Sequence, residues 1–179
     1  MITLDLTKGI TETDQYKAFK FPGGEIHFKM KAFRTGMDGE LFILNTRLNS
    51  SDEIMFLAIV SETLKKTFDN CRIEVFIPYM PYQQADRDFS KGECFSLKTI
   101  TNILNTLPVD RYKIFDPHSD VSPALLKNCE VVDNSHYITQ VINMMSDAGI
   151  NDTGIILLAP DSGAFKKIFQ RVWLYMVFS

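Results

Sequence analysis

The 179-residue chain is poor in cysteine: its three thiols, Cys71, Cys94 and Cys129, stand far apart, and no Cys-x-x-Cys pair occurs. An odd, scattered set supports neither a zinc site nor a disulfide framework; it reads as the reduced, buried thiols of a cytoplasmic protein. Excess positive charge is lacking too. Lys and Arg number 19 against 22 Asp and Glu, a formal net charge of −3. That argues against a nucleic-acid partner, because binding a phosphate backbone needs a basic face. Small phosphate ligands stay open, since backbone N–H groups or a metal ion hold phosphate without surplus Lys or Arg. Long apolar runs are missing as well. The longest uncharged apolar stretch, residues 172–178, is too short to cross a bilayer. Asp5 and Lys8 interrupt the N-terminus where a signal peptide would be apolar. Neither internal repeats nor low-complexity segments appear. These absences predict a soluble, intracellular protein without membrane association, and its 45% of hydrophobic residues suffice for a real core.

What is present is an alternation of strand-like and helical patterns. Residues 25–30 alternate polar and apolar, as a half-exposed strand does, and 41–44 form a continuous apolar run that suits a buried strand. From Ser51 the period lengthens: Ile54, Leu57, Ala58, Leu64 and Phe68 recur at helical spacing. Ser51 is the expected cap of this helix and Asp69-Asn70 its break. Residues 73–77 read as a central strand ended by Pro78. Leu97, Ile100, Ile103, Leu104 and Leu107 mark a second amphipathic helix, capped by Ser96 and stopped by Pro108. A short strand at 112–115 follows. Ile138, Val141, Ile142 and Met145 then mark a third helix that Gly149 closes. Residues 155–159 are the most strand-like of all. This order predicts an α/β protein with a largely parallel sheet flanked by helices. In such sheets ligands bind beyond the carboxyl ends of the strands, which directs attention to the loops 78–95, 116–123 and 160–167.

The segment Asp116-Pro117-His118-Ser119-Asp120 places two carboxylates and an imidazole directly after a strand. A hard cation such as Mg²⁺ needs only one or two side chains when substrate phosphates complete its shell. His118 can instead hydrogen-bond a phosphate oxygen, and an Asp-Pro turn leading into a helix cap is the plain structural alternative. Pro160-Asp161-Ser162-Gly163 puts Asp161 at a strand tip, with a glycine that permits close backbone approach. An ordinary strand-to-helix turn fits that segment equally. Phe21-Pro22-Gly23-Gly24-Glu25 is a tight turn and by itself structural. Tyr79 and Tyr82, in Pro78-Tyr79-Met80-Pro81-Tyr82, are able to stack a base, although packing is the commoner use of such rings.

The ordered set carries more than its parts. Ile77-Pro78-Tyr79-Met80-Pro81-Tyr82, Asp86-Arg87, Ser96-Leu97-Lys98, Asp116-Pro117-His118 and Pro160-Asp161-Ser162-Gly163 together resemble the ribose-phosphate pyrophosphokinases, or phosphoribosyl pyrophosphate synthetases. The 21–25 turn matches the family's Phe-Ser-Asn-Gln-Glu segment, and Asp133-Asn134 an Asp-Asn pair, so the resemblance runs from about Phe21 to Lys167. It implies a type I phosphoribosyltransferase-like fold assembled as a homo-oligomer. Residues 1–148 would form the ATP-side domain and 149–179 the start of an incomplete second domain. The implied reaction moves the β,γ-diphosphoryl group of Mg-ATP to the anomeric hydroxyl of ribose 5-phosphate, releasing AMP. By the same resemblance, Gly23, Gly24 and Glu25 contact the nucleotide, across a subunit interface in the family's manner. Gln84, Ala85, Asp86 and Arg87 line the ATP site, and His118, Asp161 and Asp116 attend the Mg²⁺. Such chemistry asks the protein for positioning and charge neutralisation rather than covalent help.

The chain departs from the pattern in four places. Gln84-Ala85 stand where the family has Arg-Gln, which removes a cation that pairs with ATP phosphates. Gly23 replaces the Asn of the turn. The Gly-Gly-Glu turn and residues 92–98 look like the divergent synthetases of large bacteriophages, which accompany NAD-salvage enzymes and for which ADP-ribose is an alternative acceptor. Finally, the family's flexible Lys/Arg loop and Asp-Asp-…-Gly-Thr sugar-phosphate loop are not found after Lys167. The expectation is therefore a truncated, impaired synthetase with an apolar tail at 172–178, or a non-catalytic partner of a full-length one.

Overall fold

Five short strands pair side by side in one parallel sheet, and a single in-register row explains why they stay there. The computed structural model describes residues 1–31, 36–88, 90–149 and 158. The sheet strands are β1 (Ile2–Asp5), β4 (Leu41–Asn45), β5 (Arg72–Ile77), β6 (Arg111–Phe115) and β7 (Cys129–Val132), in the order β1-β4-β5-β6-β7. Leu4 pairs with Leu44, Leu44 with Val75, and Val75 with Tyr112. All four are buried. Side chains in register share one face of a pleated sheet, and Phe42, Ile73, Ile77 and Ile114 extend that face as fully buried neighbours. The alternate residues, Ile43, Glu74, Phe76 and Lys113, are only half-buried.

Helix α1 (Ser51–Thr67) and helix α2 (Ser96–Leu104) supply the other half of the core, through Phe56, Leu57, Val60 and Leu64 of α1 and Leu97 and Leu104 of α2. Between β1 and β4 an antiparallel hairpin, β2 (Tyr16–Lys20) and β3 (Ile26–Met30), leaves the main sheet. It is fastened to α1 by three rings: Tyr16 lies 5.6 Å from Phe28 and 5.7 Å from Phe56, and Phe28 lies 6.0 Å from Phe56. The Tyr16 hydroxyl donates to the Gly9 carbonyl at 2.9 Å, so the buried ring keeps a polar partner.

Residues 1–132 form one compact unit containing the whole sheet, and a second begins at Asp133. The second unit contains helix α4 (Ser135–Asp147), followed by Gly149 at φ 82°, the left-handed conformation that ends helices. Apart from Leu158, the expected strand at 155–159 lies outside the described residues, as do the 160–167 loop with Asp161 and the apolar 172–178 tail. Among the described residues, no helix is long and apolar enough to cross a membrane.

Two caps differ from the sequence expectation. Ser50, not Ser51, caps α1: its hydroxyl oxygen accepts the Glu53 N–H at 3.4 Å and donates to the Glu53 carboxylate at 3.1 Å. The Glu three residues on sets this frame. Ser96 is already the first helical residue of α2, and its hydroxyl turns back to the Cys94 carbonyl, so no side chain caps that helix. Strands β1, β2 and β7 and the short helix α3 (Val121–Leu125) are additional to the elements read from periodicity. Each has only four or five residues.

The buried face sets a stability ranking. Leu44→Ala should cost about 2–5 kcal/mol, the usual range for emptying a packed leucine site, and Ile43→Ala on the half-covered face should cost less. Urea titrations of both variants check this; an equal or larger loss for Ile43 would mean that the covered face is misassigned.

Candidate functional site

Strands β5 and β6 are neighbours, with Ile77 paired to Ile114, so the loops that follow them leave the same end of the sheet. Parallel pairing alone brings residues 78–95 and 116–120 together. The first loop is pinned from below by Met80, which is fully buried. Tyr79 and Tyr82 on either side are 53% and 47% exposed. The loop is also tied to α2, where the Leu97 N–H donates to the Ala85 carbonyl at 3.2 Å.

Asp86 joins the two loops. Only 8% of it is exposed, and both carboxylate oxygens have partners. Arg87 donates through Nε to Oδ1 at 2.9 Å and through Nη2 to Oδ2 at 3.4 Å. The Ser119 hydroxyl donates to Oδ2 at 3.1 Å, across 33 positions of sequence. Beside this contact the Gln83 side-chain carbonyl accepts the His118 backbone N–H at 3.0 Å. The Arg87 guanidinium holds the Asp86 carboxyl below its ordinary 3.8, helped by the Ser119 hydroxyl and the nearby His118, while burial pulls the other way. Arg87 and His118 themselves face solvent.

Asp116 stands at the tip of β6 with φ 41°, its N–H donating to the Val132 carbonyl at 2.8 Å. Its half-buried carboxylate and the exposed His118 belong to one five-residue loop. Among the described residues, no three His, Cys, Asp or Glu side chains converge on one point.

The 21–25 turn is a separate feature. Gly24 has φ 97°, its N–H donates to the Phe21 carbonyl at 2.9 Å, and the Phe21 N–H donates to the Glu25 carbonyl at 2.8 Å. A Cβ at Gly23 would come within 2.6 Å of a Glu25 carboxylate oxygen, so glycine lets that carboxylate fold back over the turn. Lys20 ion-pairs with Asp52 in the first turn of α1, and Phe19, Phe21 and His27 cluster beside the turn at 5.1–5.6 Å. No hydrogen bond or ion pair among the described residues joins this turn to Asp86 or His118. Of the residues expected to bind ATP, the fold thus gathers Asp86 and Arg87 beside His118, leaves Gln84 exposed and Ala85 half-buried next to them, and carries Gly23, Gly24 and Glu25 on the hairpin.

A cleft of about 450 Å³ opens at the opposite, amino-terminal end of β6 and β7, lined by Asp110, Arg111, Asn128, Cys129 and Glu130. Its charges are already paired, Asp110 with Lys65 at 2.8 Å and Arg111 with Glu130 at 3.3 Å.

With this geometry in hand, comparison with known proteins is decisive. Residues 7–107, more than half of the chain, match the N-terminal domain of ribose phosphate pyrophosphokinase. The chain belongs to the ribose phosphate pyrophosphokinase family. The Saccharolobus solfataricus ribose-phosphate pyrophosphokinase is 28% identical over 157 residues, 85% of this chain and 51% of its own length. The Fusobacterium nucleatum ribose-phosphate pyrophosphokinase is 25% identical over 170 residues, 92% of this chain and 52% of its own. The crystal structure of phosphoribosylpyrophosphate synthetase from Mycobacterium smegmatis superposes with a TM-score of 0.63 at 19% identity, over 82% of this chain and 53% of that one, which confirms the fold. This pyrophosphokinase-family chain thus spans about half the length of the curated relatives it matches. The family match takes in the 21–25 turn and the Asp86 loop.

Gln83 and Ser119 were not among the expected site residues. Ser119 lay within a segment already singled out, whereas nothing in sequence marks Gln83 until β5 and β6 are known to be neighbours. The Asp86 junction has a pH signature. A carboxyl held below its ordinary value stabilises the fold above that value, and the contribution is lost as pH falls through the depressed one. Unfolding midpoints measured from pH 7 to pH 3 should therefore fall more steeply for the parent chain than for Asp86→Asn. Parallel acid limbs would show that Asp86 contributes nothing to the junction.

Proposed function

We propose that this chain forms the nucleotide side of a ribose-phosphate pyrophosphokinase, binding Mg-ATP at the carboxyl ends of β5 and β6. One observation carries the reading: Asp86, with Arg87 and Ser119, links the two strand-end loops beside His118, in a chain whose residues 7–107 match the family's N-terminal domain. In the proposed reaction the anomeric hydroxyl of a sugar phosphate, ribose 5-phosphate or ADP-ribose, attacks the β-phosphorus of ATP. The bond from that phosphorus to the α-phosphate bridging oxygen breaks, AMP leaves, and the hydroxyl proton is lost to solvent or base. Asp86 holds Arg87 in place and keeps the two loops in register, so that the guanidinium faces phosphate. Asp116 and His118 would hold Mg²⁺, which when bound neutralises phosphate charge; Asp161 lies outside the described residues. Gly23, Gly24 and Glu25 would meet a nucleotide from the hairpin, in the same chain or in a second copy within a homo-oligomer.

Binding is the informative readout, because the chain spans about half the length of its relatives. Isothermal titration should detect Mg-ATP binding that disappears without magnesium. His118→Ala should weaken it about tenfold, the scale of one lost charged hydrogen bond. Binding indifferent to both changes would sink the assignment. In the opposite direction, Gln84→Arg restores the cation found at that place in the family. It should tighten Mg-ATP binding by about tenfold at low salt, with the gain shrinking as ionic strength rises.

A further inference from the structure

Tyr82 is in a conformation that its own packing does not explain. Among the described residues, four without a glycine's freedom have positive φ: Asn70 at 54°, Tyr82 at 58°, Asp116 at 41° and Asn128 at 50°. Three are Asn or Asp, whose short polar side chains tolerate the left-handed region. A bulky aromatic there is an outlier. Burial does not compensate, since Tyr82 is 47% exposed. Glycine at this position would relieve the backbone and give up only a half-covered ring, so burial alone does not account for the tyrosine.

Its place in the fold indicates what that is. The Tyr82 carbonyl accepts the Ala85 N–H at 2.9 Å, closing the turn that leads directly to Asp86 and Arg87. The next residue, Gln83, makes the hydrogen bond to the His118 backbone. Tyr82 therefore borders the junction of the two strand-end loops and presents a half-exposed ring there. A second exposed ring, Tyr79, stands three residues earlier, separated from it by buried Met80 and Pro81. Gln84 and Ala85 offer no cation beside Arg87, and base–aromatic stacking is a further source of nucleotide affinity that tolerates any base.

We infer that Tyr82 is a nucleobase-stacking residue, held in a strained left-handed turn so that its ring walls the base of a nucleotide whose phosphates lie toward Arg87 and His118. The inference rests on the nucleotide-site reading above and adds an aromatic contact from this loop. It is tested on the 179-residue chain by titration with Mg-ATP and, as a probe without a base, with magnesium tripolyphosphate, using Tyr82→Gly and Tyr82→Phe. Tyr82→Gly should lose about tenfold in Mg-ATP affinity, the low end of what one stacked base contributes. It should bind tripolyphosphate as the parent does and melt at the same temperature or higher. Tyr82→Phe should keep Mg-ATP binding within about twofold, since the ring face is retained.

Unchanged Mg-ATP binding by Tyr82→Gly overturns the inference, as does an equal loss for both ligands. A lowered melting temperature for that variant would assign Tyr82 to structure instead. If the parent binds tripolyphosphate as tightly as Mg-ATP, stacking is refuted while the phosphate site stands. A parent chain that binds neither ligand refutes the nucleotide-site reading itself.

Discussion

Parallel pairing of β5 with β6 is the constraint on which the rest depends. It obliges the polypeptide to cross back under the sheet after each strand, so every strand-to-helix loop emerges at one end. Because Val75 and Tyr112 are paired and buried in the same row as Leu4 and Leu44, a register slip would expose the whole row to solvent. The hydrophobic core thus fixes which two loops meet, and to within one residue where they meet. Asp86 and Ser119 then sit in contact without either being part of the sheet.

The junction itself is electrostatic. A carboxylate as little exposed as Asp86 costs free energy unless it is paired and hydrogen-bonded. Arg87 and Ser119 fill both oxygens, which turns a buried charge into a clamp between loops. Asp86 faces other protein groups, while Arg87 and His118 remain at the surface. The hairpin follows a different logic: Tyr16, Phe28 and Phe56 root it to α1, and Gly23 leaves room for the Glu25 carboxylate to lie over the tip.

Much of this was readable in advance. The spacing of Ile54, Leu57 and Leu64 marked α1, and the run at 73–77 marked β5, because a long period or an unbroken apolar stretch reports directly on which face is buried. Polar segments after Ile77 and Phe115 marked the loops that meet through Asp86 and Ser119, and the order of motifs across them pointed to the family. Short elements escaped. Strands β1 and β7 have four residues each and acquire their identity only from the neighbour they pair with. The cap is Ser50, one residue before the expected Ser51, in keeping with the Ser-x-x-Glu spacing to Glu53.

By itself, the sequence determined the α/β class, the family, and the chemical types available at the strand ends, since local periodicity and residue identity are properties of the chain alone. The tertiary structure decided the contacts: that Gln83 bonds to His118 across 35 positions, that Ser119 completes Asp86, and that the 21–25 turn belongs to a hairpin rooted on α1. It also left Tyr79 and Tyr82 about half exposed. Those outcomes depend on strand order and register, which distribute residues in space according to the free energy of the whole core and not of any one segment.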